Sequence, residues 1–397
     1  MPRKKGNLYQ CFLLMLLWIF VCSQSGGASG AFAQTPGVRG PLPTRANISQ
    51  NPAVTLHPKY NDIALLLAGI KINPDSDYNA FTRHPEWQKY AAMADAGWSR
   101  FTKTIASRVQ SWAAKELTDI HRDVQTVFYP FSGPDFLYAS LFFPGARTYI
   151  LIGLEPVGTI PDPFKFSKEA YGPYLSLLLK SIEEILLISF FRVNDLSAEV
   201  VTTGLNGTLP ILMLFLARTG NEIVDIRPVE IASNGKIAIL DRFSETKGSY
   251  KGVTISFRAK NSESVQQLYY FSADLANFGL TKDAGFRQFL DGLDMGIFTF
   301  IKAASYLMHI RYYSTIRSII LNKSRVIVQE DSGITFHFFD RSIWDIRLYG
   351  TYSEPIKKFK EYFDQDLKDA YAAGAPPLNF RIGYSPQSNF LVARRKP

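Results

Sequence analysis

The sequence predicts an α/β protein: a three-layer, Rossmann-like mixed sheet with helices on both faces and an antiparallel insertion. Three observations carry this expectation. Short apolar runs alternate with helical stretches in the first half of the chain and again near its end, the pattern of parallel strands joined by helices. The stretch Val127 to Pro156 (VFYPFSGPDFLYASLFFPGARTYILIGLEP) reads as strand, turn, helix and strand. From Glu222 onward the apolar period shifts toward two, which marks antiparallel pairs inserted into that alternation.

The N-terminal 33 residues stand apart from the fold. Arg3, Lys4 and Lys5 form a basic start, an apolar core runs from Cys11 to Cys22, and Ala31-Phe32-Ala33 supplies an A-x-A cleavage site. This is the pattern of a secretory signal peptide, too short in its apolar part for a spanning helix. Both cysteines lie inside it, so the chain beyond residue 33 contains none. Disulfides, thiolate zinc sites and cysteine nucleophiles are thereby excluded from the expected exported form. Residues 34–57, rich in proline and small polar side chains, read as a flexible linker, and residues 58–397 as one α/β domain with an N-terminal helical flank over 58–120.

Along that domain, Asn61 to Ile70 predicts a short helix. Pro85 opens a longer one, with Glu86 in its first turn. Trp87, Ala91, Ala94, Trp98, Phe101, Ile105 and Trp112 then keep one apolar face to about Leu117. After the Val127–Pro156 unit comes a loop to Pro173, then a helix from Tyr174 to Phe191. Lys180, Glu183 and Glu184 in its middle argue against a membrane span. Asn194 caps a further helix, Thr203 to Gly207 breaks the chain, and Pro210 to Arg218 is an apolar helix ended by Gly220. Ser233-Asn234-Gly235 joins strands Ile223–Ile231 and Lys236–Leu240 in a hairpin. Val253–Arg258 and Gln266–Ser272 form a second pair. Asp283–Leu290 reads as a short helix, and Ile297 to Leu321 as a long one with Ile301, Ala304, Met308 and Ile316 facing inward. Strands follow at Arg325–Gln329, Ile334–Phe339 and Trp344–Tyr349, then a helix from Glu354 to Ala372 and a coil tail.

Composition limits the functional classes. With 46% apolar and 20% charged residues, the chain belongs with folded proteins. The formal charge of +9 falls to +6 once Arg3, Lys4 and Lys5 are set aside, and the remaining basic residues are spread out. That gives no nucleic-acid footprint, while contact with envelope polysaccharide or an anionic lipid surface stays open. The five histidines, at 57, 84, 121, 309 and 337, show no metal-ligand spacing, so no metal site is expected. Ser132 lacks the G-x-S-x-G setting of a hydrolase nucleophile.

Two strand ends carry the candidate site. Ser132, Gly133 and Asp135 form the turn after the first strand of the central unit. Glu155 ends its second strand, 20 positions beyond Asp135. In a doubly wound sheet such a turn meets a ligand through backbone N–H groups, and such an acid takes ribose hydroxyls. Glu330-Asp331-Ser332 ends a later strand and would face the same crevice. The first unit resembles the opening βαβ of class I S-adenosylmethionine-dependent methyltransferases. It departs from them in having one glycine where that motif has two or three, and in Pro134, which removes a donor. The departures imply a degenerate cleft with no cofactor. Read more widely, YPFSGPDFLYA (129–139), GLEPVG (153–158), QEDSGI (329–334) and LYGTY (348–352) resemble a family of exported bacterial proteins. That likeness implies export and a shared fold, and carries over no catalytic residue. The expectation is a periplasmic or secreted, non-enzymatic binding or scaffold protein. The alternative is a hydrolase or transferase working on envelope polysaccharide through the strand-end carboxylates.

Overall fold

The computed structural model describes residues 57–188, 207–243, 250–385 and 387–397, and ten strands in them form one mixed sheet. In chain order these are β1 (Thr126–Tyr129), β2 (Thr148–Gly153), β3 (Asn221–Ile231), β4 (Ile237–Ile239), β5 (Gly252–Ala259), β6 (Val265–Ser272), β7 (Ile297–Ile301), β8 (Ser324–Gln329), β9 (Trp344–Gly350) and β10 (Asn389–Arg395). Their order in space is β4-β3-β5-β6-β2-β1-β7-β8-β10-β9. The five central strands, β6-β2-β1-β7-β8, are all parallel, and every outer pairing is antiparallel.

The central unit forms as its sequence predicts. β1 and β2 are parallel neighbours, Tyr129 opposite Leu151. Between them, Phe136–Phe142 is a helix capped by Asp135. Beyond its opening threonine each strand is buried and largely apolar because both of its faces are covered. Val127, Tyr129, Tyr149 and Leu151 enter one core, whereas Phe128, Ile150 and Ile152 enter the other. Helices α1 (Pro58–Leu67), α2 (Pro85–Phe101), α3 (Ser107–Glu116), α4 (Thr118–His121), α5 (Phe136–Phe142), α6 (Lys168–Ile188) and α7 (Leu209–Arg218) pack on the first side. The second side is covered by α8 (Asn277–Lys282), α9 (Ala284–Asp291), α10 (Ser314–Lys323) and α11 (Gln365–Ala372). The fold is therefore three-layered, as expected. The antiparallel insertion lengthens the same sheet: the Gly235 turn, at φ 76°, returns β3 into β4.

Several boundaries depart from expectation. The long helix from Pro85 is divided by one π turn at Thr102–Ala106. α6 starts at Lys168, with Pro173 inside it. The helix capped by Asn194, and all but the last residue of the Thr203–Gly207 break, lie outside the described residues. Ile334–Phe339 is not a strand. The Gln329 amide bonds both backbone groups of Ile334 (2.7 and 2.9 Å), and the Phe336 N–H donates to Asp364 (2.8 Å), so these groups are unavailable to a ladder. The expected coil tail contains β10, inserted between β8 and β9.

The largest correction concerns the segment expected to be one helix from Ile297 to Leu321. Its first five residues are β7, buried on both faces beside β1; two short 3₁₀ turns follow at Leu307–His309 and Arg311–Tyr313, and only Ser314–Lys323 is α-helical. Aromatic and β-branched side chains in IFTFI suit a strand held between two layers, and Gly296 at φ 92° turns the chain into it. The chain runs outward from β1 through β2 to β6, then returns to β7 on the other flank of β1. The direction of winding thus reverses between β1 and β7, where open α/β sheets bind ligands beyond the strands' carboxyl ends.

Candidate functional site

At that reversal the loops after β1 and β7 are joined by a buried ion pair. Lys302, the residue after β7, places Nζ 2.8 Å from Asp135 Oδ2, and the two side chains are 1% and 2% exposed. Asp135 also accepts the Tyr138 N–H (3.0 Å), capping α5, and the Tyr129 hydroxyl (2.9 Å). The Lys302 ammonium sits 4.0 Å from the centre of the Tyr138 ring. Burial pushes the Asp135 carboxyl up and the Lys302 ammonium down, and each partner's charge pulls the other back toward ionisation.

Ser132 has its hydroxyl bonded within the chain. Its N–H donates to the Ile152 carbonyl (2.8 Å) and its Oγ accepts the Ile152 N–H (3.1 Å), so it prolongs the β1–β2 ladder past the strand's end. Gly133, at φ 53°, lies against Glu155: a Cβ there would stand 3.6 Å from both carboxylate oxygens. A Cβ on Gly153 would stand 2.4 Å from Glu155 Oε2 and 2.9 Å from Gly133 Cα. The turn and the acid that would flank a ribose therefore lie close together, with room for about a methyl group between Gly133 and the Glu155 carboxylate. The Tyr270 hydroxyl donates to the Glu155 carbonyl at 2.8 Å and lies 3.4 Å from Oε2. Burial raises the pKa of Glu155, with hydrogen bonds from Tyr270 and the backbone opposing it.

The end of β8 is equally committed. Glu330 accepts the Ala303 N–H (2.8 Å), the Ser332 N–H (3.2 Å) and the Ser332 hydroxyl. Ser332 in turn accepts the Ala304 N–H (2.8 Å). Asp331 accepts the Asn389 amide (2.8 Å) and the Tyr306 hydroxyl. Burial, with Asp331 adjoining, pushes the Glu330 carboxyl up to about 8. These bonds hold the loop after β7 in an uncommon shape, with Ala303, Ser305 and Tyr306 all left-handed at φ 52–56°. The Tyr384 hydroxyl closes it from above, donating to the Ala303 carbonyl (2.6 Å).

All six expected site residues thus gather at the carboxyl edge of the parallel strands, and all six are spent on bonds or contacts within the chain. The cavity that touches Glu330 and Asp331 measures about 10 Å³, the room of one water. A larger cleft, about 300 Å³, lies at the opposite edge among Thr126, Ile150, Lys236, Phe289, Leu293 and Ile297, away from these carboxylates. Among the described residues, no three His, Cys, Asp or Glu side chains are grouped to hold a metal ion. Sequence reasoning missed Lys302, Tyr306 and Asn389. Lys302 becomes visible only when IFTFI is read as a strand, which makes it the first polar residue at that strand's end. No family model, curated protein or solved structure matches the chain.

Proposed function

We propose that this chain is an exported, non-enzymatic envelope protein, a binding or scaffold body whose Rossmann-like crevice is filled by its own side chains. The Lys302–Asp135 pair carries the reading: it occupies the sheet's reversal point, where a ligand's charge would otherwise be met. The closeness of Gly133 to Glu155 supports it, because a sugar between them would have to displace one or the other. The test is a thermal-shift screen of the full chain against S-adenosylmethionine, nucleotides and neutral oligosaccharides. No stabilisation is expected from any of them. Stabilisation by one of these ligands that disappears in Asp135→Ala would overturn the reading.

One observation favours a hydrolase or transferase instead. Glu330 is buried beside Asp331, and burial pushes its carboxyl up to about 8, the direction a general acid needs. Glycosidase and esterase turnover abolished by Glu330→Gln, with folding intact, would establish that alternative in place of the first.

A further inference from the structure

The carboxyl edge of the sheet is interlocked inside and carries exposed apolar side chains outside. Phe278 is 75% exposed, Leu154 60% and Tyr312 43%. Each lies on a loop or short helix beyond the carboxyl end of a parallel strand, β6, β2 and β7 in turn. Hydrogen bonds tie together the segments that carry them. The Asn277 amide donates to the Arg311 carbonyl (3.0 Å) and the Ser314 hydroxyl (3.0 Å), and its oxygen accepts the Thr315 N–H (3.0 Å). Phe278 and Tyr312 directly follow two of these bonded residues, Asn277 and Arg311, so their backbones are neighbours. The Ser272 hydroxyl donates to the Leu154 carbonyl (3.3 Å), tying the tip of β2 to the chain that leads into α8.

Basic groups border these side chains. Lys282 is four residues beyond Phe278 on α8, hence on the same helix face. The exposed Arg311 guanidinium lies 5.1 Å from the Tyr312 ring centre. Farther along the edge, exposed Lys357, Lys358 and Lys360 follow β9, on a turn whose Phe359 and Tyr362 rings pack on Tyr306 at 5.0 and 5.5 Å. Acids on these segments are fewer. Asp274, Glu354 and Glu361 are exposed, and Asp283 is paired with Lys251 at 2.8 Å.

Protruding phenylalanine and leucine with lysine and arginine around them form the signature of a protein that rests on a bilayer without crossing it. Among the described residues no helix is long and apolar enough to cross one. We propose that this edge docks on an anionic lipid surface, with Phe278, Leu154 and Tyr312 entering the boundary between headgroups and acyl chains. Lys282, Arg311 and the Lys357–Lys360 turn meet the headgroups. A polyanionic polysaccharide would engage the same cations but would gain little from Phe278 and Leu154, so the apolar tips favour lipid.

The proposal rests on the reading of the chain as a binding protein and names its partner. Its test is hydrogen exchange of the full chain with phosphatidylcholine vesicles, with and without phosphatidylglycerol. Segments 273–283 and 307–313 should become protected only on the anionic vesicles, and added salt should weaken that protection. Phe278→Ser should lower the affinity that this protection reports by roughly ten-fold. Its melting temperature should not change, because the side chain is largely exposed. Protection confined to other segments would overturn the proposal, as would an undiminished footprint in Phe278→Ser/Tyr312→Ser or tighter binding to dextran sulfate than to vesicles. Those failures would leave the filled crevice untouched, since that is judged by the small-molecule screen.

Discussion

The two edges of the parallel sheet differ in kind. At the carboxyl edge, two aspartates, two glutamates and a lysine are buried, and the cavity that touches Glu330 and Asp331 measures about 10 Å³. At the amino edge there is an opening of about 300 Å³, and its inner wall, Ile150, Phe289, Leu293 and Ile297, carries no charge. In a ligand-binding doubly wound protein, room and chemistry coincide at the carboxyl edge. Here they are separated. Polar groups at strand ends must find partners, and if no ligand supplies them the loops above must do so. The left-handed residues at 303, 305 and 306 are the backbone cost of bringing those partners in.

The sharpest way to break this comparison is to remove one half of the ion pair. Lys302→Met leaves Asp135 buried without its cation, and Asp135→Leu leaves the lysine likewise. Each should lower stability in urea unfolding by about 3–5 kcal/mol. The double variant should recover most of that loss, short of about 1 kcal/mol for the missing cap on α5. Single variants that are mild, or additive in the double, would mean the pair is solvated and the crevice open.

Much of this arrangement was legible in the sequence, though its sense was not. The β1–α5–β2 unit could be read because each apolar run is closed by turn residues, and Asp135 and Glu155 follow from that reading. β7 could not. A strand buried on both faces shows no alternation, and Ile297, Ile301, Ala304 and Met308 happen to fall on helical steps. Missing β7 hid Lys302 and with it the partner of Asp135. β10 was missed because a short apolar run in a tail carries no local sign that it pairs antiparallel with Val326–Gln329. A carboxylate at a strand end announces its place in the fold. Whether it faces a ligand or another side chain is decided by residues far away in sequence, as with Asn389 at Asp331.

A second test acts through pH. Glu330 has its folded pKa raised to about 8, with Lys302, Asp331, Tyr306 and Tyr384 around it. Between its ordinary value of 4.5 and about 8, the folded protein keeps a proton that the unfolded chain releases. Its contribution is therefore fully present below 4.5 and is lost as pH rises through about 8. Unfolding measured across that window should show stability falling with pH, with a shallower slope in Glu330→Gln. An identical slope in the variant would show that the carboxyl is hydrated, contrary to a dry carboxyl edge.

The smallest effects should come from the amino edge. Gln288 and Lys236 border its opening from α9 and the β3–β4 hairpin, and both are exposed. Replacing either with alanine removes atoms that face solvent, so each change should stay within about 0.5 kcal/mol in urea unfolding. Phe289 belongs to the buried wall and serves as the internal standard: Phe289→Ala should cost about 3 kcal/mol or more through the cavity it leaves. The contrast between the two edges is sharpened if only the wall residue matters. It fails if Gln288→Ala or Lys236→Ala destabilises as strongly as Lys302→Met, because the amino edge would then be as interlocked as the carboxyl edge.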